Sequence, residues 1–583
     1  MHPSFLSSAD KRITAELLAY SVCQLFPDVI FVGGGVNQLG FYYDFIFSQS
    51  LPTDVLSLIE VELRKTLKED HSIRFANMMR ENAQNYFQHY KQPFLADKAA
   101  AEANNVLELL QIGTYSGLCP DYKILSTLEL TPYIKLLELQ RKEVEIEGHD
   151  YIVNRIIGNC FANPQELKVF VKNFERHRKK ANHVELGKEL NLFVSNEKAN
   201  EVETLWLPKG EILRQTLQDW IKPYLLSQSI QFVATPTIIR KLKRKYSKDS
   251  LSLDFQGHPY QLASSRLAAH CQILCAQLGV KKTLPLKVME YGLSYRLQGM
   301  GEIEGLLCSH SSYGDEATIC CKKGEELKEI ISFLLFIEQI IKIFSFEAYW
   351  CLVTAVKKGA KAKAEKDAIE LLLKAVQSCQ FSFSEEEIEE EEIVGPRLEL
   401  RIVDKLKRAW PCSTLTIVVH ELKFLDFFGN QVKNNDKVTE VLSLLKQSIW
   451  GSLDRFIALL LERYEGNLPI WLAPEQARLL VINKNAQAYV DHIVNVCQEK
   501  GLKITTDVRD VKLSEKVHDA GKEKIPVSIV IGENEVNKKC LTVQNVQSSG
   551  KSQILTLDQF LDKELLEIKC PILKEEQLII GRK

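Results

Sequence analysis

The sequence predicts a multidomain α+β protein, and three observations carry that reading. The chain has 583 residues, enough for about three or four domains. Its middle holds an apolar strand–loop–strand unit, Val288 to Cys321, with Gly299, Gly301 and Gly305 in the loop. From Pro469 onward strands alternate with helices of about a dozen residues, the pattern of a small α/β domain with a mostly parallel sheet.

Composition narrows the class. Hydrophobic residues make up 45% and charged residues 26%, as in a water-soluble globular protein. A formal net charge of −2 gives no global attraction to nucleic acid, so any such binding must come from local patches. Fourteen cysteines are scattered without CxxC pairing, which points to reduced thiols and a cytoplasmic protein. The start, MHPSFLSSADKR, does not read as a signal peptide. The most apolar run, Ile330 to Phe346, is broken by Glu338 and Lys342, so a buried helix is expected there and no membrane span.

Taken in order, residues 10–27 carry a helical stripe of Leu17, Leu18, Val22 and Leu25. Residues 33–47, GGGVNQLGFYYDFIF, read as a Gly-rich turn feeding an aromatic strand. The turn lacks GxGxxG spacing and no helix follows, which argues against a phosphate cradle. A helix pair is expected over 52–92, short strands and turns over 111–137, and charged helix over 165–192. Gly210 to Ser227 is an amphipathic helix, and QFVATP (231–236) is a strand with Pro236 at its end or edge. The basic run 240–248 contains Arg240, Lys241, Lys243 and Arg244. It suits either a solvated helix face or an RNA backbone. His258 to Leu278 reads as helix, 385–392 as a solvated acidic loop, and Val438 to Tyr464 as one long helix. Strand-like runs flank AWPCS within Leu398 to Val419. Arg296 ends the first strand of the central hairpin. It is either a surface arginine or a planar fork aimed at a phosphate.

Three of these features, in this order, resemble the class II aminoacyl-tRNA synthetases. The helix and strand ending in Pro236 resemble motif 1, the hairpin with Arg296 motif 2, and GSLDRFIALLLERYEG (451–466) with Arg455 motif 3. The wording of LWLPKGEILRQTL (205–217), residues 450–480 and KIPVSIVIGENEV (524–536) narrows the resemblance to threonyl-tRNA synthetase. GFYYDFIF, GLCPDYKILST, NRIIGNCF and HVELGKELNLF extend it into the N-terminal part. The resemblance implies an editing-type α+β domain over 1–195, an antiparallel-sheet catalytic core over 196–466 and a C-terminal α/β anticodon-binding domain over 467–583. The small ubiquitin-like domain usual in bacterial members is expected to be lacking.

Chemistry follows from the same match. Activation of a carboxylate by ATP with Mg requires charge stabilisation at the α-phosphate. The resemblance assigns the α-phosphate to Arg296, the γ-phosphate to Arg455 and the adenine-positioning place, normally Glu, to Gln298. It implies threonine and tRNA as partners, a homodimer with Pro236 near the interface, and an anticodon contact at Glu535. The family grips threonine with a zinc ion held by one Cys and two His, but the three matching positions here are Leu267, Thr318 and Lys446. None replaces its counterpart as a ligand, so zinc is expected to be absent. Cys308, His310, Cys320 and Cys321 lie nearby, as structural residues or as parts of a rebuilt site.

Other positions depart in the same way. Cys308, Ser309 and His310 stand for an Arg-Val-Arg, and Thr416 for a Gln. The editing positions read Arg12, Glu16, Cys119 and Lys123, where the family has three His and one Cys, so no editing is expected. Gln544 and Val546 replace an anticodon-contacting arginine pair. Two functional readings remain at this stage: a divergent threonine–tRNA ligase, or a non-catalytic relative that binds tRNA or a protein partner. A synthetase-like enzyme for another small acceptor is a third.

Overall fold

The alternation in Gly40–Ile46 organises the N-terminal unit. Phe41, Tyr43 and Phe45 are buried on one face, while Tyr42 and Asp44 take the other. The strand sits second in an antiparallel sheet ordered Ile30–Asn37, Gly40–Ile46, His149–Cys160, Ile134–Ile146. The glycines read as a turn lie inside the first of these strands; the turn is Asn37 to Gly40, closed by Asn37 Oδ1 accepting from the amides of Leu39 and Gly40. Glycine is needed because the aromatic neighbours crowd it. A Cβ at Gly34 would lie 2.4 Å from the Tyr43 ring. The helix pair expected over 52–92 is interrupted: Val55–Thr66 and Arg80–His89 are separated by the strand Ile73–Met79, which pairs with Val106–Ile112.

The computed structural model describes residues 8–573 apart from 38, 50, 53, 103, 120–122, 147–148, 179–181, 196–203, 241–251, 279–283, 297–303, 356–359, 389–393, 420–441, 484–485, 546–551 and 569. Two compact units result: Met1–Lys180 with Lys198–Asn200, and the rest. The helix His183–Glu189, placed by the sequence reading on the N-terminal side of a boundary at 195, clusters with the second unit. There His183 Nδ1 lies 2.7 Å from Glu462 Oε1.

The second unit is built on an eight-stranded sheet, in the order Gln231–Phe232, Leu286–Tyr295, Ser311–Lys322, Leu442–Ser448, Ala409–Ile417, Arg397–Val403, Glu347–Ala355, Phe383–Ile388. The two edge strands are parallel to their neighbours and every inner pair is antiparallel. Helices Pro208–Ser227, Glu326–Phe344, Ala360–Ser378 and Leu453–Tyr464 bury one face, through residues such as Met289, Ile319, Leu445, Leu415 and Leu400.

Several sequence expectations change here. The long helix over 438–464 is a strand, Leu442–Ser448, a turn at Gly451 (φ +65°) and a helix capped by Ser452 Oγ. The acidic loop begins as the edge strand Phe383–Ile388, whose Glu385, Glu386 and Glu387 are exposed. AWPCS lies within the strand Ala409–Ile417. The neighbouring strand shifts register between Glu399 and Arg401, beside Pro411. The helix expected from His258 starts only at Leu267, after the strand His258–Leu262. Only Gln231–Phe232 of QFVATP pairs in the sheet.

The C-terminal sheet is ordered Ile504–Asp507, Ala477–Val481, Val527–Ile531, Leu541–Asn545, Ser552–Leu555. Its first three strands are parallel and the last two antiparallel, so the sheet is mixed rather than mostly parallel. Glu475 and Glu523 tie it to the core through Lys209, each at 2.8 Å, and both also take Arg478. Hydrogen bonds from Arg478 and Lys209 hold the Glu523 carboxyl down to about 2. No helix among the described residues is long and apolar enough to cross a membrane.

Candidate functional site

The face of the large sheet opposite the helical core carries the candidate site. Strand alternation fixes its membership. Leu398, Leu400 and Ile402 enter the core, so Arg397, Glu399 and Arg401 take the other face. Register then aligns Thr318 with Lys446, Lys446 with Thr416, and Thr416 with Arg397 across four strands. A neighbouring row pairs Glu290 with Glu316, and Ser448 with Thr414 and Glu399. A cationic row therefore lies beside an acidic one.

The hairpin read from sequence forms as expected, with ten paired positions from Leu286↔Cys320 to Tyr295↔Ser311. Arg296 follows the first strand. Its side chain is exposed and its amide donates to the His310 carbonyl at 2.9 Å. Gln298 lies outside the described residues. Arg455 is partly exposed on the first turn of Leu453–Tyr464. Its Nε donates to the Leu307 carbonyl at 2.7 Å and its Nη1 to the Pro411 carbonyl at 2.8 Å. Arg455 thus ties the hairpin loop to the strand Ala409–Ile417.

Backbone packing holds this region tightly. Asp315, fully inside, accepts the amides of Ile449 at 2.6 Å and Trp450 at 2.7 Å. Burial pushes its carboxyl up to about 6 even against those bonds. An alanine Cβ at Gly314 would sit 1.9 Å from the Gly451 carbonyl oxygen. Gly314→Ala is therefore expected to destabilise the chain by about 1–3 kcal/mol. In urea unfolding, an unshifted midpoint for that variant would contradict this packing.

The three places matched to zinc ligands have clear fates. Leu267 is 5% exposed and packs with Cys271, Leu274, Val288, Cys320 and Leu444. Thr318 is buried, with Oγ1 3.0 Å from His270 Nδ1. Burial lowers the His270 pKa, against the pull of the Glu316 and Glu290 charges. Lys446 Nζ donates to Ser265 Oγ at 2.8 Å and lies 3.4 Å from Glu316 Oε2. Glu316 also accepts from Ser265 Oγ and the Arg266 amide, each at 2.9 Å. Burial opposes the Glu316 charge, but Lys446, His270 and these bonds hold its carboxyl below the ordinary range.

Sequence reasoning passed over Arg266, His270, Glu290, Arg397, Glu399 and Arg401. Arg266 Nε pairs with Glu290 Oε1 at 2.7 Å, and Glu399 takes Arg397 at 2.7 Å and Arg401 at 3.1 Å. The usable signal was the alternation RLELR (397–401), in which charge faces one side of a strand whose other side is core.

The remaining expected positions behave differently. Glu535 caps its own helix, accepting from the Gly532 amide and Thr542 Oγ1, each at 2.9 Å. Gln544 lies in the strand Leu541–Asn545, and Val546 lies outside the described residues. Arg240 ends the strand Ile238–Arg240, while Lys241, Lys243 and Arg244 lie outside the described residues. In the N-terminal unit Arg12 is exposed and Lys123 pairs with Glu108 at 2.6 Å. The Cys119 amide donates to the Glu108 carbonyl, and Glu16 accepts from Tyr115 Oη. Cys320 and Cys321 are fully buried on opposite faces of one strand, and burial pushes both thiols up, Cys321 to about 12.

Comparison with known proteins agrees with this architecture. The class II tRNA synthetase core domain (G, H, P, S and T) matches residues 251–464, and the anticodon binding domain matches 476–567. Threonine–tRNA ligase of Oleidesulfovibrio alaskensis is 28% identical over 562 residues, covering 95% of this chain and 86% of that protein. The ligase of Azoarcus sp. is 28% identical over 572 residues, covering 95% and 87%. The chain is a homologue of the threonine–tRNA ligases along nearly its whole length. The fold likeness reaches a solved threonyl-tRNA synthetase RNA-binding domain from Cryptosporidium parvum, with TM-score 0.61 and 23% identity over 67% of this chain and 99% of that one.

In this threonyl-tRNA synthetase homologue the residues at the implied metal place do not fit zinc. Leu267 has no donor atom, Thr318 is engaged by the His270 imidazole, and Lys446 brings a cation. A divalent ion 4 Å from an ammonium is repelled by about 8 kcal/mol at an effective dielectric of 20. Among the described residues no group of three His, Cys, Asp or Glu is placed to hold a metal.

Proposed function

We propose that this family member keeps the synthetase scaffold as a tRNA-binding protein and does not activate threonine. The observation that supports this best is Lys446. Its ammonium pairs with Glu316 where the family resemblance puts a zinc ligand, so the metal grip that separates threonine from isosteric valine is missing. The degenerate editing positions point the same way. In this reading tRNA is the partner, the protein works in the cytoplasm, and two copies pair near Pro236.

Threonine-dependent ATP–pyrophosphate exchange, measured with and without added zinc, tests the reading. No exchange above background is expected in either condition, and clear threonine-specific exchange would overturn it. Binding to tRNA is expected to be salt-sensitive. Reversing the charges of Arg240, Lys241, Lys243 and Arg244 should lower affinity and reduce the salt slope by about one per lost phosphate contact. Unchanged binding would remove that surface from the account.

One observation favours a second reading, ATP-dependent activation of a different carboxylic acid. Arg296 is exposed at the hairpin end, and Arg397 and Arg401 lie on the same sheet face as Lys446. Such cations suit ATP phosphates. Pyrophosphate exchange across a panel of amino acids separates the two readings.

A further inference from the structure

The substrate-facing side of the sheet poses a question of charge. Glu290 and Glu316 lie directly opposite each other on paired strands, at 4% and 7% exposure. Two like charges so placed need cations close by. Arg266 answers Glu290 through Nε at 2.7 Å. Lys446 answers Glu316, and Ser265 Oγ bridges the two, accepting from the ammonium and donating to the carboxylate. His270 Nε2 lies 3.6 Å from Glu290 Oε1 on the same side of the cluster. Each of the two carboxylates thus has its own side-chain cation beside it.

We infer that Lys446 is a built-in replacement for a metal ion, a fixed cation that the strand Leu442–Ser448 delivers beside Glu316 at the place where the family's resemblance implies zinc. The inference deepens the proposed function and shares with it the position of Lys446, but metal content and pyrophosphate exchange fail independently. The strand geometry supports the substitution. Lys446 is the middle position of three, with Thr318 directly opposite on one neighbour and Thr416 on the other. Two small hydroxyl side chains leave its long chain room to reach Ser265, and its side chain remains 26% exposed toward the open face. An ammonium has three donors, of which Ser265 takes one while Glu316 pairs with the charge at 3.4 Å. A ligand at this place meets a hydrogen-bond donor, which suits an acceptor oxygen. A metal would instead accept the lone pair of an amine.

Zinc content of the purified full-length chain, measured by elemental analysis, tests this directly. Far less than one zinc per chain is expected, with a melting temperature unmoved by chelator or by added zinc. Stoichiometric zinc in the native chain, or a chelator-sensitive melt, would overturn the inference. Lys446→Met leaves Glu316 without its cation and is expected to melt several degrees lower, whereas Lys446→Arg keeps most of the stability. Equal melting of the Met variant and the native chain would count against the pairing. Leu267→Cys, Thr318→His and Lys446→His together should bind about one zinc per chain. A folded triple variant that takes no zinc would show that Lys446 does not stand in a metal's place. Where the triple variant does not fold, the native zinc measurement decides.

Discussion

Replacing Asp44 by Ala is expected to destabilise the N-terminal unit by about 3–5 kcal/mol. Asp44 and Arg155 are direct cross-strand partners, and Arg155 grips the carboxylate with two parallel bonds of 2.7 Å, from Nε and Nη2. The side chains are 8% and 2% exposed, and the guanidinium lies 3.7 Å from the centre of the Tyr42 ring. Removing the carboxylate leaves a charged guanidinium inside the protein with its main partner gone. That orphaned charge is the source of the large effect; the intact pair is worth far less against an apolar substitute. The double change Asp44→Leu with Arg155→Met should therefore recover much of the loss. All six tryptophans lie at position 206 or later, so tryptophan fluorescence follows the second unit. Hydrogen exchange over 30–46 and 149–160 follows the first. Faster exchange there with an unmoved tryptophan transition is the expected result. Normal exchange in the Asp44→Ala chain would mean that the pair does not hold the sheet.

The hairpin was legible because two apolar runs flank a loop punctuated by glycine, and such runs have little choice but to pair. The strand Leu442–Ser448 was not legible in the same way. Its leucines, with Val441 and Ile449, fit a helical stripe as well as an alternating one, and it holds no β-branched or aromatic residue. Only its two neighbours in the sheet decide the matter, Ser311–Lys322 on one side and Ala409–Ile417 on the other. The position of Lys446 came from resemblance rather than periodicity, and for that reason it survived the misreading of its element. Its contact with Glu316 could not be read, because it joins residues 130 apart in sequence across a strand pair that was unseen.

Charge alternation identifies a face but not its burial. In Arg397–Val403 alternate charged residues suggest a face toward water, yet Glu399 is 6% exposed, because Arg397 and Arg401 close over it. Single-sequence patterning records polarity but not pairing, and two arginines on one glutamate convert an apparent surface into a packed polar floor. The same limit applies to Arg455. Its motif position was recognisable, whereas its bonds to the Leu307 and Pro411 carbonyls depend on where the hairpin loop and the strand Ala409–Ile417 arrive.

The N-terminal unit is expected to lose about 3 kcal/mol of stability between pH 4.5 and 7, and Glu16→Gln should abolish that loss. Glu16 stands where the resemblance puts an editing histidine. In this chain it is drawn into a buried chain of hydroxyls: Tyr115 Oη donates to it at 2.5 Å and lies 3.0 Å from Tyr43 Oη. Burial pushes its carboxyl up to about 7, against the Tyr115 hydrogen bond and the charge of Lys98. The folded pKa is thus above the unfolded value near 4.5, so folding favours the protonated acid. The stabilisation is fully present below pH 4.5 and is lost as pH rises through 7. A glutamine in its place would keep an oxygen for Tyr115 but cannot ionise. The variant and the native chain should then be equally stable near pH 4.5, and the variant should lead by about 3 kcal/mol at pH 8. Comparing the two at each pH cancels every other titrating group. Parallel profiles would show that Glu16 ionises without cost and that its carboxylate is open to water. Diverging profiles would mean that the place of an editing histidine now holds a carboxyl whose ionisation the fold opposes, hydrogen-bonded to Tyr115 and through it to Tyr43.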